Sequence, residues 1–371
     1  MNANMKYTLL FYWRPFAYIG GQFFYRTNGA QLPRNPLLTL LASCLLCLLI
    51  LPVAAKDKNS LPDKLELSEW EVPWGGRPRD PYVAPDGKVW FCGQDGNYIG
   101  RFDPATETFG RIEVDKGTHP HNLIVDNDGY IWYAGNRNAM IGKLDPDSGK
   151  ITRFTMPEAI DDPHTLAFDK QGNIWFTAQH SNVIGHLNTR SGKVRYITVE
   201  TPRARPYGIK IDQHNRPWIV LLGTNKLATV EPADFTLKEI TIPRESVRPR
   251  RLEITRDGAI WFADYRSGYL GRYQPGQQAF DDWLMPGEEA SQPYGTALDA
   301  QGRIWIALTG MYPNRIVGFD SNKEKLVSAS SVPSGGSIRH MYYHPGEDVF
   351  WFGVDSGYLV RARYQGKSDS R

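Results

Sequence analysis

The feature that most constrains the fold is a segment of about 43 residues that recurs seven times along the chain. Each copy holds an apolar run, a polar turn, an aromatic stretch around a tryptophan and a closing apolar segment; residues 161–187 show all four. The equivalent tryptophans, 42, 43, 43, 43, 44 and 46 residues apart, are Trp90, Trp132, Trp175, Trp218, Trp261, Trp305 and Trp351. Self-similarity at this period is typical of solenoids, propellers and arrays.

Within each copy, short apolar or aromatic runs alternate with turns rich in Gly, Asn and Asp, which predicts four β-strands. In the third copy these runs are 166–168, 174–178, 183–187 and 193–199. No window keeps an apolar period of 3.6 residues, so we expect no helices.

A strand-like segment at 65–73 precedes the first complete copy, and the seventh copy ends near Tyr364 without a fourth strand. Similar segments close the second, fourth and fifth copies, at 151–157, 238–243 and 281–286. The early strand is therefore expected to complete the last unit and close a ring, since an open solenoid would need polar caps at both ends. The sequence predicts an all-β fold: a seven-bladed β-propeller of four-stranded blades over 65–364.

The first 55 residues lie outside the repeat. They contain four basic residues and no acidic residue, and an almost unbroken apolar run over 37–55 that ends in Val-Ala-Ala. This order predicts a cleaved secretory signal over 1–55 and a periplasmic or secreted propeller. An uncleaved membrane anchor and a lipoprotein signal lipidated at Cys44 are the alternatives. A polar linker at 56–64 and a disordered tail at 365–371 flank the propeller.

Charge and cysteine content limit the partners. Without the leader, 39 basic residues face 40 acidic ones, so the near-neutral domain offers no argument for a nucleic-acid partner. A membrane partner is expected only if the leader is uncleaved. Of the three cysteines only Cys92 lies beyond the leader, so packing rather than an internal disulfide must stabilise the fold.

Most recurrent residues have structural explanations. The tryptophans are expected to wedge between neighbouring sheets. Glycines recur about ten residues after five of the tryptophans, where strands should approach too closely for a side chain: Gly100, Gly142, Gly185, Gly271 and Gly318.

Function is expected where equivalent positions differ. A proline stands twelve residues before each of the first six tryptophans, and Ile338 takes its place in the seventh copy. The next residue should point at the mouth of the central channel, and this position holds Arg79, His121, His164, Tyr207, Arg250, Tyr294 and Arg339. All seven are large and donate hydrogen bonds, which predicts a ligand site in one concavity. The alternative is a water-filled channel with a polar lining.

The arginines and tyrosines of this ring are the predicted substrate-binding residues: Arg79, Tyr207, Arg250, Tyr294 and Arg339. Guanidinium groups pair bidentately with carboxylates, so the expected partner is a small-molecule or peptide-like ligand that is anionic or carbonyl-bearing. Asp264 is a weaker candidate, because it ends a strand where the other copies have small or apolar residues. Its alternative role is an ion pair with Arg250 or Arg251.

His121 and His164 lie 43 residues apart, one blade step, and should approach each other. Asp162 stands two residues before the second histidine. Two imidazoles near a carboxylate are compatible with a divalent-metal site, with general acid–base catalysis, or with plain hydrogen bonding to a ligand.

Three stretches carry a resemblance to a known family: PHNLIVDNDGYIWYAGNRNAMIGKL, PHTLAFDKQGNIWFTAQHSNVIGHL and PYGTALDAQGRIWIAL. They resemble the streptogramin B lyases, also called the virginiamycin B lyase family, and the resemblance extends over the whole predicted propeller. It implies a seven-bladed monomer that linearises cyclic depsipeptides by Mg²⁺-assisted elimination, in which a histidine takes the α-proton.

The resemblance also implies an active site of rim histidines on two adjacent blades, an acid two residues before the second, and a Glu three residues after that blade's tryptophan. In the family these occupy the last two blades, where this chain has Tyr294, Arg339, Ser337 and Val354. A rotated set fits in part, with His164 as catalytic base, His121 as its catalytic partner and Asp162 as metal ligand. Ala178 stands in place of the second acid.

These observations favour an extracytoplasmic carbon–oxygen lyase acting on a carbonyl- or carboxylate-bearing substrate, which includes cyclic esters. The alternative is a non-catalytic propeller that binds a ligand or another protein, and dependence on Mg²⁺ separates the two. A lactonase-type hydrolase would need several acids around calcium, and the predicted rim has few.

Overall fold

The computed structural model describes residues 61–366, and its strands run from Leu65 to Tyr364. The predictions for 1–55, for most of the 56–64 linker and for most of the 365–371 tail therefore lie outside the described residues. The described residues belong to the second of two structural units of the chain, Asn59–Arg371. Among them, no helix is long and apolar enough to span a membrane.

Within 61–366, 28 strands form seven antiparallel sheets of four, and each sheet is one blade. Blade 1 contains β2 (Pro78–Val83), β3 (Val89–Gly93), β4 (Tyr98–Asp103) and β5 (Thr108–Glu113). Blade 2 contains β6 (Pro120–Val125), β7 (Ile131–Gly135), β8 (Met140–Leu144) and β9 (Ile151–Thr155). Blade 3 contains β10 (Pro163–Phe168), β11 (Ile174–Ala178), β12 (Val183–Leu187) and β13 (Val194–Thr198).

The remaining blades repeat the pattern. Blade 4 contains β14 (Pro206–Ile211), β15 (Pro217–Leu221), β16 (Lys226–Glu231) and β17 (Thr236–Thr241). Blade 5 contains β18 (Pro249–Ile254), β19 (Ile260–Asp264), β20 (Tyr269–Gln274) and β21 (Ala279–Leu284). Blade 6 contains β22 (Pro293–Leu298), β23 (Arg303–Leu308), β24 (Arg315–Asp320) and β25 (Lys325–Ser331), after a short 3-10 helix at Glu288–Ser291.

The seventh blade closes the ring as the sequence predicts. It contains β26 (Ile338–His344), β27 (Val349–Val354) and β28 (Tyr358–Tyr364), and its outermost strand is β1 (Leu65–Glu71). The first and last strands pair antiparallel, with Leu65 opposite Tyr364 and Glu71 opposite Tyr358. The prediction of a seven-bladed propeller closed by its N-terminal strand is confirmed.

The core lies between the blades, where the repeated tryptophans are buried. Trp305 packs on Phe350 of blade 7 with ring centroids 5.2 Å apart, and Trp175 stacks on Phe235 of blade 4 at 5.1 Å. Both contacts join neighbouring blades, as the wedge interpretation requires. Truncating a buried tryptophan to alanine costs about 3–5 kcal/mol, so these seven residues hold the ring together.

The recurrent glycines have a different reason from the expected one. In blade 1, Gly100 lies opposite Phe91, and a Cβ on this glycine would be 2.2 Å from the Cζ atom of that ring. Blades 2, 3 and 5 repeat the arrangement, and in blade 6 the tryptophan ring itself covers the glycine. The space is therefore occupied by a facing aromatic side chain rather than by a neighbouring backbone.

Each innermost strand contains one extra residue just after its first residue, which is proline in six blades and Ile338 in the seventh. In blade 3, Pro163 is opposite Ala178, but Leu166 is opposite Phe176, so three steps on one strand match two on the other. The other six blades show the same irregularity. Such a bulge re-aims side chains, and here it turns two consecutive residues of every blade toward the channel.

The channel therefore has three rings of side chains. The proximal ring is the predicted one: Arg79, His121, His164, Tyr207, Arg250, Tyr294 and Arg339. The middle ring contains the residues that follow these: Asp80, Asn122, Thr165, Gly208, Arg251, Gly295 and His340. The distal ring lies two residues further along: Tyr82, Ile124, Ala167, Lys210, Glu253, Ala297 and Tyr342.

Candidate functional site

The structure brings the proximal ring together. The His121 and His164 rings lie 3.8 Å apart between centroids, and the Tyr207 ring is 4.1 Å from His164. The hydroxyls of Tyr207 and Tyr294 share a hydrogen bond, and the Arg250 guanidinium sits 3.7 Å from the Tyr294 ring centroid. The side chains that the repeat register selected therefore converge on one layer.

This layer is closed, which differs from the expected open concavity. Arg79 is 3 % exposed, His164 2 % and Tyr294 1 %. The large side chains pack on one another and fill this end of the channel, while Arg250 and Arg339 remain partly exposed. A ligand would approach the layer over these two arginines.

The histidine pair is uncharged at neutral pH. Burial, followed by the positive charges of Arg79 and Arg251, holds the pKa of both imidazoles well below 6.5. Nδ1 of His164 is hydrogen-bonded to Thr165 Oγ1 at 2.8 Å, which leaves Nε2 for another partner. Nδ1 of His121 is buried without a hydrogen-bond partner among the described residues.

Asp80 of the middle ring joins two of the arginines. Its carboxylate lies 3.0 Å from Arg79 Nε and 3.4 Å from Arg251 Nη2, and it accepts a hydrogen bond from Asn122 at 2.8 Å. Burial opposes ionisation of this group, but the two guanidinium groups hold its pKa well below the usual range. Arg251 also donates to Thr165 Oγ1 and to the backbone carbonyl of Arg339. The middle ring is thus a network that ties blades 1, 2, 3, 5 and 7 across the channel.

Several buried polar atoms of the layer have no partner. Among the described residues, Arg79 Nη2 and Arg250 Nε are buried without a hydrogen-bond acceptor, in addition to His121 Nδ1. Buried N–H groups in native proteins are nearly always paired, with the protein, with water or with a ligand. Two unpaired guanidinium N–H groups can donate hydrogen bonds to an oxygen-bearing, preferably anionic, ligand.

Asp264 lies beside the layer and caps a loop. Its Oδ1 accepts hydrogen bonds from the backbone amides of Arg248 (2.9 Å), Arg266 (3.2 Å) and Ser267 (3.2 Å). The alternative role, an ion pair with Arg250 or Arg251, is not seen within residues 61–366. The second oxygen is buried without a partner.

Asp162 likewise stabilises a loop. One oxygen accepts from the backbone amide (2.6 Å) and the imidazole (3.0 Å) of His180, and the other accepts from Ser181. These bonds account for both carboxylate oxygens, so the structure does not place this residue with the histidine pair.

The residues at the channel do not fit a magnesium site. Within 61–366, no group of three His, Cys, Asp or Glu side chains is arranged to hold a metal ion. Asp80, the carboxylate nearest the histidines, is already paired with Arg79 and Arg251. Hard divalent cations prefer several oxygen ligands, whereas this layer presents guanidinium groups that would repel a cation.

Three residues of the site lie one position beyond the second strand of their blades. Gln94 accepts a hydrogen bond from Arg79 Nη1 at 3.1 Å, Tyr265 stacks on Arg250 at 4.1 Å, and Asp355 pairs with Arg339 Nε at 2.9 Å. This position was not predicted to belong to the site, although it varies among the copies: Gln94, Asn136, Gln179, Leu222, Tyr265, Thr309 and Asp355. That variation was the available signal.

Comparison with known proteins gives one family and several structures of similar fold. Residues 59–316 match the model of the virginiamycin B lyase family. No curated protein matches the chain.

Among solved structures, a catalytically inactive histidine-to-alanine variant of virginiamycin B lyase from Staphylococcus aureus with quinupristin has a TM-score of 0.74 and 20% identity. The match covers 81% of the present chain and 99% of the chain of the S. aureus variant. A streptogramin B lyase has a TM-score of 0.74 and 21% identity, with 81% and 98% covered. Kuenenia stuttgartiensis hydrazine synthase has a TM-score of 0.67 and 15% identity, with 79% and 97% covered. Likeness at this identity shows a shared fold.

Proposed function

Because the chain belongs to the virginiamycin B lyase family, we propose that it is a carbon–oxygen lyase acting at the proximal ring. Its substrate carries a carboxylate or ester carbonyl beside an acidic C–H bond. One observation carries the proposal: the layer combines neutral imidazoles with buried guanidinium N–H groups that have no partner. These are the two components, base and carbonyl-polarising group, that proton abstraction next to a carbonyl requires.

In the binding step, the carboxylate or carbonyl oxygen of the substrate accepts hydrogen bonds from the unpaired N–H groups of Arg79 or Arg250. Charge-assisted bonds of this kind are the strong ones in a buried site. They also withdraw electron density from the substrate carbonyl, which makes the neighbouring C–H bond more acidic.

In the chemical step, Nε2 of His164 accepts the proton from the carbon next to the carbonyl, while Nδ1 donates to Thr165. The electron pair of the broken C–H bond forms a C=C bond. The C–O bond at the next carbon breaks, and its electron pair leaves with the oxygen. The arginines weaken this base in the free protein, and an anionic substrate offsets their charge and raises the imidazole pKa.

The histidine of the inactive S. aureus variant supports a histidine base by analogy. The apolar leader supports a location outside the cytoplasm. Strands of this one chain complete all seven blades of the described propeller, so no second copy is needed to close the ring, which supports a monomer. The structure gives no set of ligands for Mg²⁺, so the proposed chemistry uses the arginines in its place.

The test is a screen of cyclic depsipeptides and carboxylate-bearing ethers and esters, with products weighed by mass spectrometry in EDTA and in Mg²⁺. Ring opening by elimination leaves the mass of a cyclic substrate unchanged, whereas hydrolysis adds one water. His164→Ala is expected to abolish turnover, and His214→Ala, on an exposed turn, is the matched control. Turnover that survives His164→Ala would contradict the proposal.

A second candidate is a non-catalytic propeller that binds an anionic ligand. It is favoured by the burial of His164, because His121 lies against one side of its ring and Tyr207 is also in contact. Calorimetry separates the candidates: carboxylate binding that is lost in Arg250→Gln, with no product from any substrate, supports binding alone.

A further inference from the structure

A cavity of about 460 Å³ occupies the channel on the far side of the middle ring. Residues of the middle and distal rings line it, and none of the seven proximal residues does. Its volume lies within the range of small-molecule sites. The cavity is thus separate from the layer assigned to the proposed lyase reaction.

One side of the cavity is polar and carries balanced charge. Lys210 Nζ lies 3.0 Å from Glu253 Oε2, and Thr296 donates to the other carboxylate oxygen at 3.0 Å. The Glu253 side chain is 6 % exposed and that of Lys210 40 %. A hydroxyl group can donate to the carboxylate and accept from the ammonium group at once, so it fits this pair without leaving a charge unpaired.

The opposite side is aromatic and apolar. Tyr82 and Tyr342 lie with ring centroids 4.2 Å apart, and Ile124 and Ala167 continue this half of the distal ring. An aromatic surface facing a few placed polar groups is typical of sites that bind molecules with one apolar and one hydroxyl-bearing face.

The closed end adds a neutral hydrogen-bonding group. His340 lines the cavity, and its Nδ1 is buried without a partner among the described residues. Arg251, which also lines it, shares Asp80 as counter-ion with Arg79 and donates to Thr165. Its guanidinium group is therefore already engaged, and the charges of Lys210 and Glu253 balance each other, whereas the proximal ring has unpaired guanidinium N–H groups.

We infer that this cavity is a second ligand site and that it takes a neutral polyhydroxylated molecule of the size of a mono- or disaccharide. The Lys210–Glu253 pair binds hydroxyls, and the Tyr82–Tyr342 pair contacts the C–H face. The inference does not depend on the proposed lyase activity.

The test is saturation-transfer NMR and calorimetry on the purified protein with methyl α-D-glucopyranoside, maltose and, as a charged analogue, gluconate. We expect saturable binding of the neutral sugars that weakens about tenfold in Glu253→Gln, which loses a charge-assisted bond. Tyr342→Ala should weaken it similarly, and Tyr342→Phe retains the ring if the alanine variant fails to fold.

Two variants serve as controls. Tyr312→Ala removes a tyrosine that is 86 % exposed and remote from the cavity lining, and Arg339→Gln alters the proximal ring. Both should bind the sugars as the unmodified protein does. The inference is overturned if neither sugar binds at about 100 mM, where even a weak site would fill. It is also overturned if gluconate binds better than the neutral glucoside, or if the Glu253 and Tyr342 variants bind unchanged.

Discussion

The two ends of the channel are built by the same seven strands, yet they differ in charge and in space. The proximal ring is closed, and four guanidinium groups lie in or just below it, whereas the distal cavity is open and carries the balanced Lys210–Glu253 pair. The two rings lie only three positions apart along each strand. The comparison shows that a repeat scaffold can hold two chemically unlike sites once equivalent positions diverge.

Side-chain volume explains why one end is closed. All seven proximal positions hold Arg, His or Tyr, which together fill the channel. The distal ring includes Ala167 and Ala297, which line the cavity, and their small side chains leave part of its space. Gly208 and Gly295 of the middle ring instead let the backbone of the next blade approach closely.

The largest expected effect tests the network that closes the proximal end. Asp80→Asn keeps the shape of the side chain and tolerates the left-handed backbone at this residue (φ 48°), but removes the negative charge between Arg79 and Arg251. Loss of one partner of a buried ion pair costs about 3–5 kcal/mol of unfolding free energy. Urea denaturation measures this loss.

The control for that experiment is Asp115→Asn. Asp115 pairs with Arg153 at 2.6 Å, but both side chains are about half exposed. An exposed pair contributes about 0–1 kcal/mol. If both variants lose the same unfolding free energy, the middle-ring network does not stabilise the propeller more than an exposed ion pair does.

Acid should destabilise the fold through the buried histidines. Burial lowers the pKa of His340 to about 3, so in the native state it stays neutral well below the unfolded value of about 6.5. The unfolded chain therefore binds more protons below that pH, and stability present above about 6.5 is lost as pH falls toward 3. The slope is about 1.4 kcal/mol per pH unit for each such histidine.

Denaturation at several pH values measures the slope. The His340→Gln variant is expected to have a smaller slope of unfolding free energy against pH, by the contribution of one histidine. The His214→Gln variant, which changes a histidine on an exposed turn, is expected to leave this slope unchanged. The charged groups around His340 are Asp80 and Arg79 on the neighbouring blade 1, Arg251 on blade 5 and Lys210 on blade 4. An unchanged slope in His340→Gln would show that this imidazole titrates alike in both states.

The tyrosines of the two ends should ionise at different pH. Burial raises the pKa of Tyr207, but Arg250, Arg251 and Arg79 outweigh it and lower the value to about 8. In the distal ring, burial raises the pKa of Tyr82 above its usual value. Absorbance near 295 nm should therefore show a phenol that titrates near pH 8, disappears in Tyr207→Phe and remains in Tyr82→Phe. A first transition at pH 10 or above would contradict the cationic character of the proximal ring.

The smallest expected effect is a difference in salt sensitivity. Carboxylate binding at the proximal ring should weaken several-fold between about 20 and 500 mM NaCl, because salt screens the arginine charges. Binding of methyl α-D-glucopyranoside at the distal cavity should change less than about twofold over that range. Calorimetry measures the dissociation constant of each ligand at both salt concentrations. If the two constants change by the same factor, the two ends of the channel do not differ in electrostatic character.

Much of the fold could be predicted because each blade repeats the same local sequence pattern of apolar runs, turn residues and one tryptophan. The spacing of the tryptophans set the number of blades, and the extra strand before Pro78 indicated how the ring closes. The seven proximal positions could be selected because a proline precedes six of them and Ile338 takes its place in the seventh copy. The bulge after this position could not be predicted, since it changes the pairing of strands without any marker residue, and for that reason the middle ring as a whole was not predicted.

By itself, the sequence determined the blade, its count and the residues that reach the proximal end, because these depend on local periodicity and on one repeated register. Only the tertiary structure decided which side chains meet: Arg251 with Asp80 across the channel, Lys210 with Glu253 between neighbouring blades, and Asp162 with its own loop. The first two contacts join different blades, and all three depend on distances that a local pattern does not contain. The closed layer and the open cavity follow from those distances.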